Sequence, residues 1–213
     1  MTTEAIENGK EMIDLDPVSN DAEPEIVVGA PYIARVTITG VAAILFHRWS
    51  NEAVAEKAAA AKNSKAKKSD NIESYIYRTD DGKIGIPGEY LRRSIVTAAK
   101  FKQDPRSPRK SAMDLYQASI ISLTDIADTG AKEPDYIDRR RVTVQRSGVT
   151  RERPALRAGW TATFDLMCQS PEYISPQDLL DTITQAGRLV GIADFRPSFG
   201  RYQVVRFEVS PAA

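Results

Sequence analysis

The sequence predicts an α+β fold in which helices cover one face of an antiparallel sheet. Three stretches carry that prediction. Residues 32–39 and 160–168 alternate apolar and polar side chains with the period of two of a half-buried strand. Residues 175–187 start with Ser175-Pro176, a cap followed by proline at the first helical position. They then place Leu179, Leu180, Ile183 and Ala186 on one stripe. The sequence encodes 213 residues, 42% apolar and 27% charged, which is ordinary globular usage and enough for a core.

Taken in order, residues 1–29 hold eight acids and one base, Lys10, with few large apolar residues. They read as a disordered acidic tail. Order is expected from residue 30, as a single domain to 213 with insertions at about 51–86 and 125–158. Tyr32, Ala34, Val36 and Ile38 line one face of the first strand, and the apolar run 41–46 reads as its continuation past a bend at Gly40. Residues 51–70 are rich in Ala and Lys without large anchors, which suits a helical or mobile insertion. Residues 72–77 and 83–86 flank Asp80-Asp81-Gly82, a hairpin signal. Pro87-Gly88 opens a helix with Leu91, Ile95 and Ala98 inward.

Residues 102–110 read as a basic loop, 118–123 as a strand and 125–137 as loop. A strand–turn–strand follows, with 140–145 leading out, Ser147-Gly148 at the turn and 150–157 returning. After the strand 160–168, Gly187 is read as the stop of the second helix. In the last strand Gln203, Val205, Phe207 and Val209 share one face. Stripped of insertions, the order is strand, helix, strand, strand, helix, strand, the ferredoxin-like pattern.

The charges are unevenly placed. The chain has 29 basic and 29 acidic residues. The tail is net −7, so residues 30–213 hold 28 bases against 21 acids. A basic body with an acidic tail points to a polyanionic partner. Cys168 alone makes no internal disulfide, and with His47 as the one histidine a common structural zinc site is not expected. No apolar run approaches the ~20 residues of a spanning helix, and the N-terminus lacks a signal-peptide pattern. A cytoplasmic protein without metal, cofactor or membrane partner is expected. Cys168 sits on the apolar face of its strand, so its thiol reads as buried and inert.

Three regions can carry chemistry. Residues 139–157 hold seven arginines, Arg139, Arg140, Arg141, Arg146, Arg151, Arg153 and Arg157, against one acid, Glu152. In a strand pair Arg139, Arg141 and Gln145 share one face, and Arg140 and Arg146 the other. Guanidinium forks suit phosphates and stack on bases; the bland reading is an edge guarded by charge. Residues 187–202 place Gly191 and Gly200 around Asp194, Phe195, Arg196 and Phe199, with Arg201 following. Cations beside rings suit single-stranded nucleic acid, with phosphate on guanidinium and bases on Phe195 and Phe199. The alternative is a structural loop in which Arg196 pairs with Asp194. At residues 85–93 a strand runs into a helix N-terminus carrying Arg92 and Arg93, as phosphate contacts or as solvated charge. Nucleotide hydrolysis is unsupported, because the GxxxxGK[ST] spacing is absent. No GxSxG, HExxH or GxGxxG motif is present.

The order of elements, Ile86-Pro87-Gly88 with Leu91-Arg92-Arg93-Ser94, the basic hairpin between core strands and the glycine-containing loop 187–200 together resemble the repeat-associated mysterious protein (RAMP) superfamily of CRISPR systems. The backbone subunits of that superfamily are the nearest likeness, over residues 32–209. A phage or mobile-element relative of the same architecture fits equally.

The resemblance implies a non-catalytic subunit of antiviral defence that binds guide RNA and stacks side by side, as a homo-oligomer or within a CRISPR-like effector complex. By position, residues 139–153 correspond to the family's thumb, and Arg92 and Arg93 face the bound strand. Single-stranded RNA is the expected ligand, with DNA as its alternative. Two other functions stay open. Processing ribonucleases of the superfamily use a histidine after the first strand or helix, which makes His47 the candidate for metal-independent cleavage. The other is a phage or mobile-element inhibitor whose acidic tail mimics a nucleic acid.

Overall fold

The computed structural model describes residues 29–48, 55, 59, 71–144 and 147–212, with side chains undescribed at 142–149. The acidic tail, Arg146 and most of the expected insertion at 51–70 therefore lie outside the described residues; positions 55 and 59 within that insertion are helical. The elements are β1 (Tyr32–Gly40), β2 (Ile44–Leu45), β3 (Tyr77–Arg78), β4 (Ile84–Pro87), α1 (Gly88–Ala98), β5 (Gln103–Asp104), β6 (Ser107–Ser111), α2 (Met113–Ser119), β7 (Ile120–Ser122), β8 (Ile126–Asp128), β9 (Tyr136–Val144), β10 (Ser147–Leu156), β11 (Thr161–Cys168), α3 (Pro176–Leu189) and β12 (Tyr202–Pro211).

The main sheet is antiparallel in the order β12-β1-β11-β7. Its inner face is the alternation seen in the sequence: Tyr32, Ala34, Val36 and Ile38 of β1, and Ala162, Phe164, Leu166 and Cys168 of β11, are buried under the helices. Burial pushes the Cys168 thiol pKa up, so it stays protonated and unreactive at neutral pH. The outer face is polar and pairs with itself. Arg35 makes two 2.8 Å bonds to Asp165, Thr37 meets Thr163 at 3.0 Å, and Arg206 pairs with Glu208. The first two pairs join β1 to β11 across the sheet, and the third lies along β12; in the two ion pairs the charges cancel.

Three smaller sheets surround this one: β2-β10-β9, β3-β4-β8 and the pair β5-β6. Gly88 is set by close approach, since a Cβ there would lie 2.1 Å from the Thr124 carbonyl oxygen. That contact seats the start of α1 on the segment after β7 and gives the Pro87-Gly88 pair a packing reason. Ser175 caps α3, its hydroxyl oxygen accepting from the Asp178 N–H at 3.1 Å.

Several expectations are corrected. The first strand does not run on past Gly40. The Trp160 ring packs against Gly40, where a Cβ would lie 2.0 Å from its Nε1, and Trp160 Nε1 donates to Ala42 O at 2.9 Å. The chain turns there, Val41 is exposed, and Ile44–Leu45 pairs with β10 instead. Residues 72–77 hold a 3-10 turn, Glu73–Tyr75, before β3. The basic loop 102–110 is a hairpin whose Arg106 donates twice to buried Asp104; these bonds hold the Asp104 carboxyl down at about 2.

A helix, α2, precedes the expected strand at 118–123, and the expected loop 125–137 contains β8. Ser147 and Gly148 belong to β10 and do not form the turn. Gly187 does not stop α3, which continues to Leu189. It is glycine because a Cβ there would lie 2.2 Å from the Tyr202 carbonyl oxygen of β12. The last strand carries a bulge at Val205: Thr37 pairs with Arg206 but Ile38 pairs with Val204. The extra residue turns Val205 outward, separating it from Phe207 and Val209 on the core side.

Candidate nucleic-acid interface

The arginine hairpin β9–β10 is rooted through β2, where Ala155 and Leu156 pair with Leu45 and Ile44. Its register sets Arg139 opposite Glu152, Arg140 opposite Arg151 and Asp138 opposite Arg153. Directly opposed residues of an antiparallel pair share a face. One face therefore carries Asp138, Arg140, Arg151 and Arg153, and the other Arg139, Arg141 and Glu152.

The first face is a clasp on the loop 191–200. Arg153 is buried, and its Nε donates to Asp194. The Arg140 guanidinium lies 5.0 Å from the Phe195 ring centre and 4.6 Å from that of Phe199, while its Nε and Nη2 bond Asp138. Its pKa is raised by those bonds, so it stays charged over the rings. Arg151 Nη1 lies 3.4 Å from His47 Nε2. The one acid within residues 139–157 is thus not the whole supply. Asp138 adjoins the stretch and Asp194 comes from 41 residues beyond Arg153.

The second face is open. Arg141 is exposed, and Arg139 pairs with Glu152 while its side chain stays 71% exposed. The two candidate arginines of α1 separate. Arg93 is exposed. Arg92 is not a free surface cation: its Nε donates to Ile120 O and its Nη2 to Gln117 O, both at 2.6 Å, and Nη1 pairs with Glu89. It satisfies carbonyls at the end of α2 that the helix leaves unbonded.

Loop 191–200 closes on itself and on the segment after β1. Ile192 N donates to Gly200 O at 2.9 Å, Gly200 N to Ala43 O at 2.8 Å and Asp194 N to Leu45 O at 3.1 Å. Asp194 pairs with Arg153 and not with Arg196, so Arg196 projects outward beside exposed Phe195. Ala193 and Phe195 adopt positive φ, 63° and 59°, a costly conformation for residues with a Cβ. Arg201 lies apart, lining a separate cavity with Val41 and Arg188 beside β12.

Two cavities flank the loop. One of about 160 Å³ is lined by His47, Tyr90, Arg93, Ala193, Asp194 and Arg196. Burial first, and then the hydroxyl of Tyr77, push the Tyr90 pKa upward, so its phenol keeps its proton. The other, of about 450 Å³, lies between the ends of α1 and α3 and the loop. Sequence reasoning missed Tyr90, Lys100 and Phe101 as site residues. Tyr90 is the one with a readable signal, lying three residues before Arg93 on the same helix face. By contrast the outer face of the main sheet carries no aromatic ring among its described residues, so it offers no stacking platform.

The fold class is mixed α+β, built on antiparallel sheets, one of which holds the basic hairpin. Neither a family model nor a curated protein matches the sequence. Among solved structures the fold is similar to a chain in a cryo-EM structure of the Type III-B Cmr-beta bound to cognate target RNA. That likeness has 12% sequence identity and a TM-score of 0.51 over 86% of this chain. It covers 62% of the other chain, so this protein spans less than two thirds of that neighbour's length. Among the described residues, no helix is long and apolar enough to cross a membrane.

Proposed function

We propose that the protein is a non-catalytic subunit that binds single-stranded RNA within a ribonucleoprotein assembly, of the RAMP type. The observation that carries this reading is the clasp: two hairpin arginines, Arg140 and Arg153, fix loop 191–200, and Arg196 and Phe195 are left exposed. The order β12-β1-β11-β7, which is fourth, first, third and second of the core strands, supports a ferredoxin-like single domain with the hairpin as an insertion. The fold likeness to a chain from an RNA-bound complex supports the choice of RNA. In this reading Arg93, Arg141 and Arg196 take phosphates, Arg139 exchanges Glu152 for a phosphate, and Phe195 stacks on a base. Arg140 and Arg153 position the loop, and Arg92 pins α2. Side-by-side stacking of copies and a cytoplasmic, cofactor-free setting belong to the same proposal.

The test is RNA affinity across a salt series. A Lys or Arg that neutralises a single-strand phosphate contributes ~0.7 to the slope of log K against log salt. Arg93→Ala/Arg141→Ala/Arg196→Ala is expected to weaken binding and lower that slope by about 2. Arg92→Ala, in contrast, lowers stability and leaves the slope intact. An unchanged slope in the triple variant removes these residues from the account.

The smaller cavity favours a second reading, metal-independent RNA cleavage. It brings His47, the protonated Tyr90 and two arginines to one space. There the imidazole would take the 2′-hydroxyl proton as that oxygen attacks phosphorus, and the phenol would protonate the departing 5′-oxygen. End-labelled RNA incubated with EDTA decides it. Fragments that vanish in His47→Ala support cleavage, and intact RNA with the wild-type protein dismisses it.

A further inference from the structure

The larger cavity has a different character. Its walls come from three distant parts of the chain: Lys100 and Phe101 after α1, Leu189 at the end of α3, and Asp194, Phe195 and Arg196 of the loop. Phe101, Leu189 and Phe195 are 55%, 49% and 40% exposed. Single exposed apolar residues are commonplace, but three large ones converging on one concavity mark a binding site. The volume, about 450 Å³, is within the ~300–1,000 Å³ range of small-ligand sites.

Charge and geometry define the ligand. The Lys100 ammonium lies 4.7 Å from the Phe101 ring centre, and Arg196 lines the same cavity, so rings and cations share its walls. Phe195 is buttressed from the hairpin side by Arg140, by Arg153 and, edge-on, by Phe199 at 5.9 Å. Phe195, and Ala193 two residues before, adopt positive φ in this wall. Among the described residues the Asp194 carboxylate is bonded by Arg153 at Oδ2, so Oδ1 is left to accept, and Asp194 is one of the residues that line the cavity. Rings, cations and a carboxylate acceptor on one open cavity suit a nucleotide better than a lipid or an apolar peptide.

We infer that this cavity takes one nucleobase of the bound strand, with selection for bases that carry an exocyclic amino group. The base enters between Phe101 and Phe195, and its amino group donates to Asp194. Arg196 and Lys100 hold the phosphates on either side. Adenine, cytosine and guanine offer the acceptor an amino group, whereas uracil presents O4 where cytosine has that group and keeps only its N3–H as a donor. The inference rests on the RNA-binding proposal above and extends it to a subsite and a preference.

The experiment uses the full chain with 12-nucleotide oligo(rC) and oligo(rU), and with an RNA carrying 2-aminopurine, whose fluorescence is quenched on stacking. Wild type is expected to prefer rC over rU by about tenfold, a hydrogen bond to a charged group. Phe101→Ala is exposed enough to fold normally, as a melting curve would verify. It is expected to weaken rC binding about tenfold, relieve the quenching and leave the salt slope unchanged, because no cation is lost. Asp194→Asn is expected to erase the preference for rC. Steep, salt-dependent binding with no rC preference and no effect of Phe101→Ala overturns the pocket while the binding reading survives. No binding of any RNA by wild type overturns both.

Discussion

Replacing Gly200 with alanine is expected to destabilise the protein by ~3 kcal/mol and to remove RNA binding with it. Gly200 has φ +70°, which costs a residue with a Cβ about 1 kcal/mol or more. The larger problem is space. The new Cβ would lie 1.9 Å from the Ile192 carbonyl oxygen and 2.9 Å from its carbon. Those are backbone atoms, which cannot rotate aside as a side chain can. The two ends of the loop must therefore separate, and two bonds go with them: Ile192 N to Gly200 O and Gly200 N to Ala43 O. Each contributes ~1 kcal/mol. An opened loop releases Asp194 from Arg153 and the rings from Arg140. Gly82 is the control. It has a similar φ of +74° with no atom within 4 Å of an added Cβ, so Gly82→Ala should show the backbone term alone. Urea unfolding of both variants makes the comparison. Equal losses would show that the contact with Ile192 is not what requires glycine at 200.

The sequence made the main sheet and two helices legible because their faces differ chemically. β1 and β11 bury one side and wet the other, so the period of two is written in them. α3 carries its own cap. Where tertiary contacts decided the structure, the pattern misled. Val205 looked like a core residue until the bulge at Thr37/Ile38 turned it outward. Gly187 looked like a helix stop, but Tyr202 of β12 required it to be small. α2 is short, and its end is completed by Arg92 from another helix, which no local signal announces.

The same logic applies to the candidate site. The two faces of the hairpin were readable from alternation, as was the company of rings and cations around Arg196. The partners were not. Local counting of one acid among seven arginines missed Asp194, because 41 residues separate it from Arg153. The hairpin and loop, read as two separate regions, form one unit. Lys100 and Phe101, at the end of α1, gave no sign of facing it.

That unit makes an asymmetric prediction about its central ion pair. Arg153 has a side chain 8% exposed, whereas that of Asp194 is 35% exposed. Each partner was taken from water to a different extent, so the two deletions should differ. In Arg153→Met the methylene stem is replaced by packing of similar shape, and Asp194 turns to solvent that already reaches it. A loss of ~1 kcal/mol is expected. In Asp194→Ala the guanidinium stays buried without its carboxylate, and its Nη1 has no hydrogen-bond partner among the described residues even in the intact protein. Breaking a fully buried pair this way costs ~3–5 kcal/mol, and the partial exposure of Asp194 reduces that to ~2–3 kcal/mol.

The double variant should then be more stable than Asp194→Ala alone, since Met in place of the stranded guanidinium removes an uncompensated charge. A coupling of ~1 kcal/mol or more is expected from the cycle. Chemical denaturation of the four proteins measures it. The opposite ranking, with Arg153→Met the worse single variant, would mean that the loop is held by the aromatic contacts of that guanidinium with Phe195 and not by the carboxylate. The hairpin would then grip its loop through the rings, and Phe195→Leu, not Asp194→Ala, would be the change that releases Arg196.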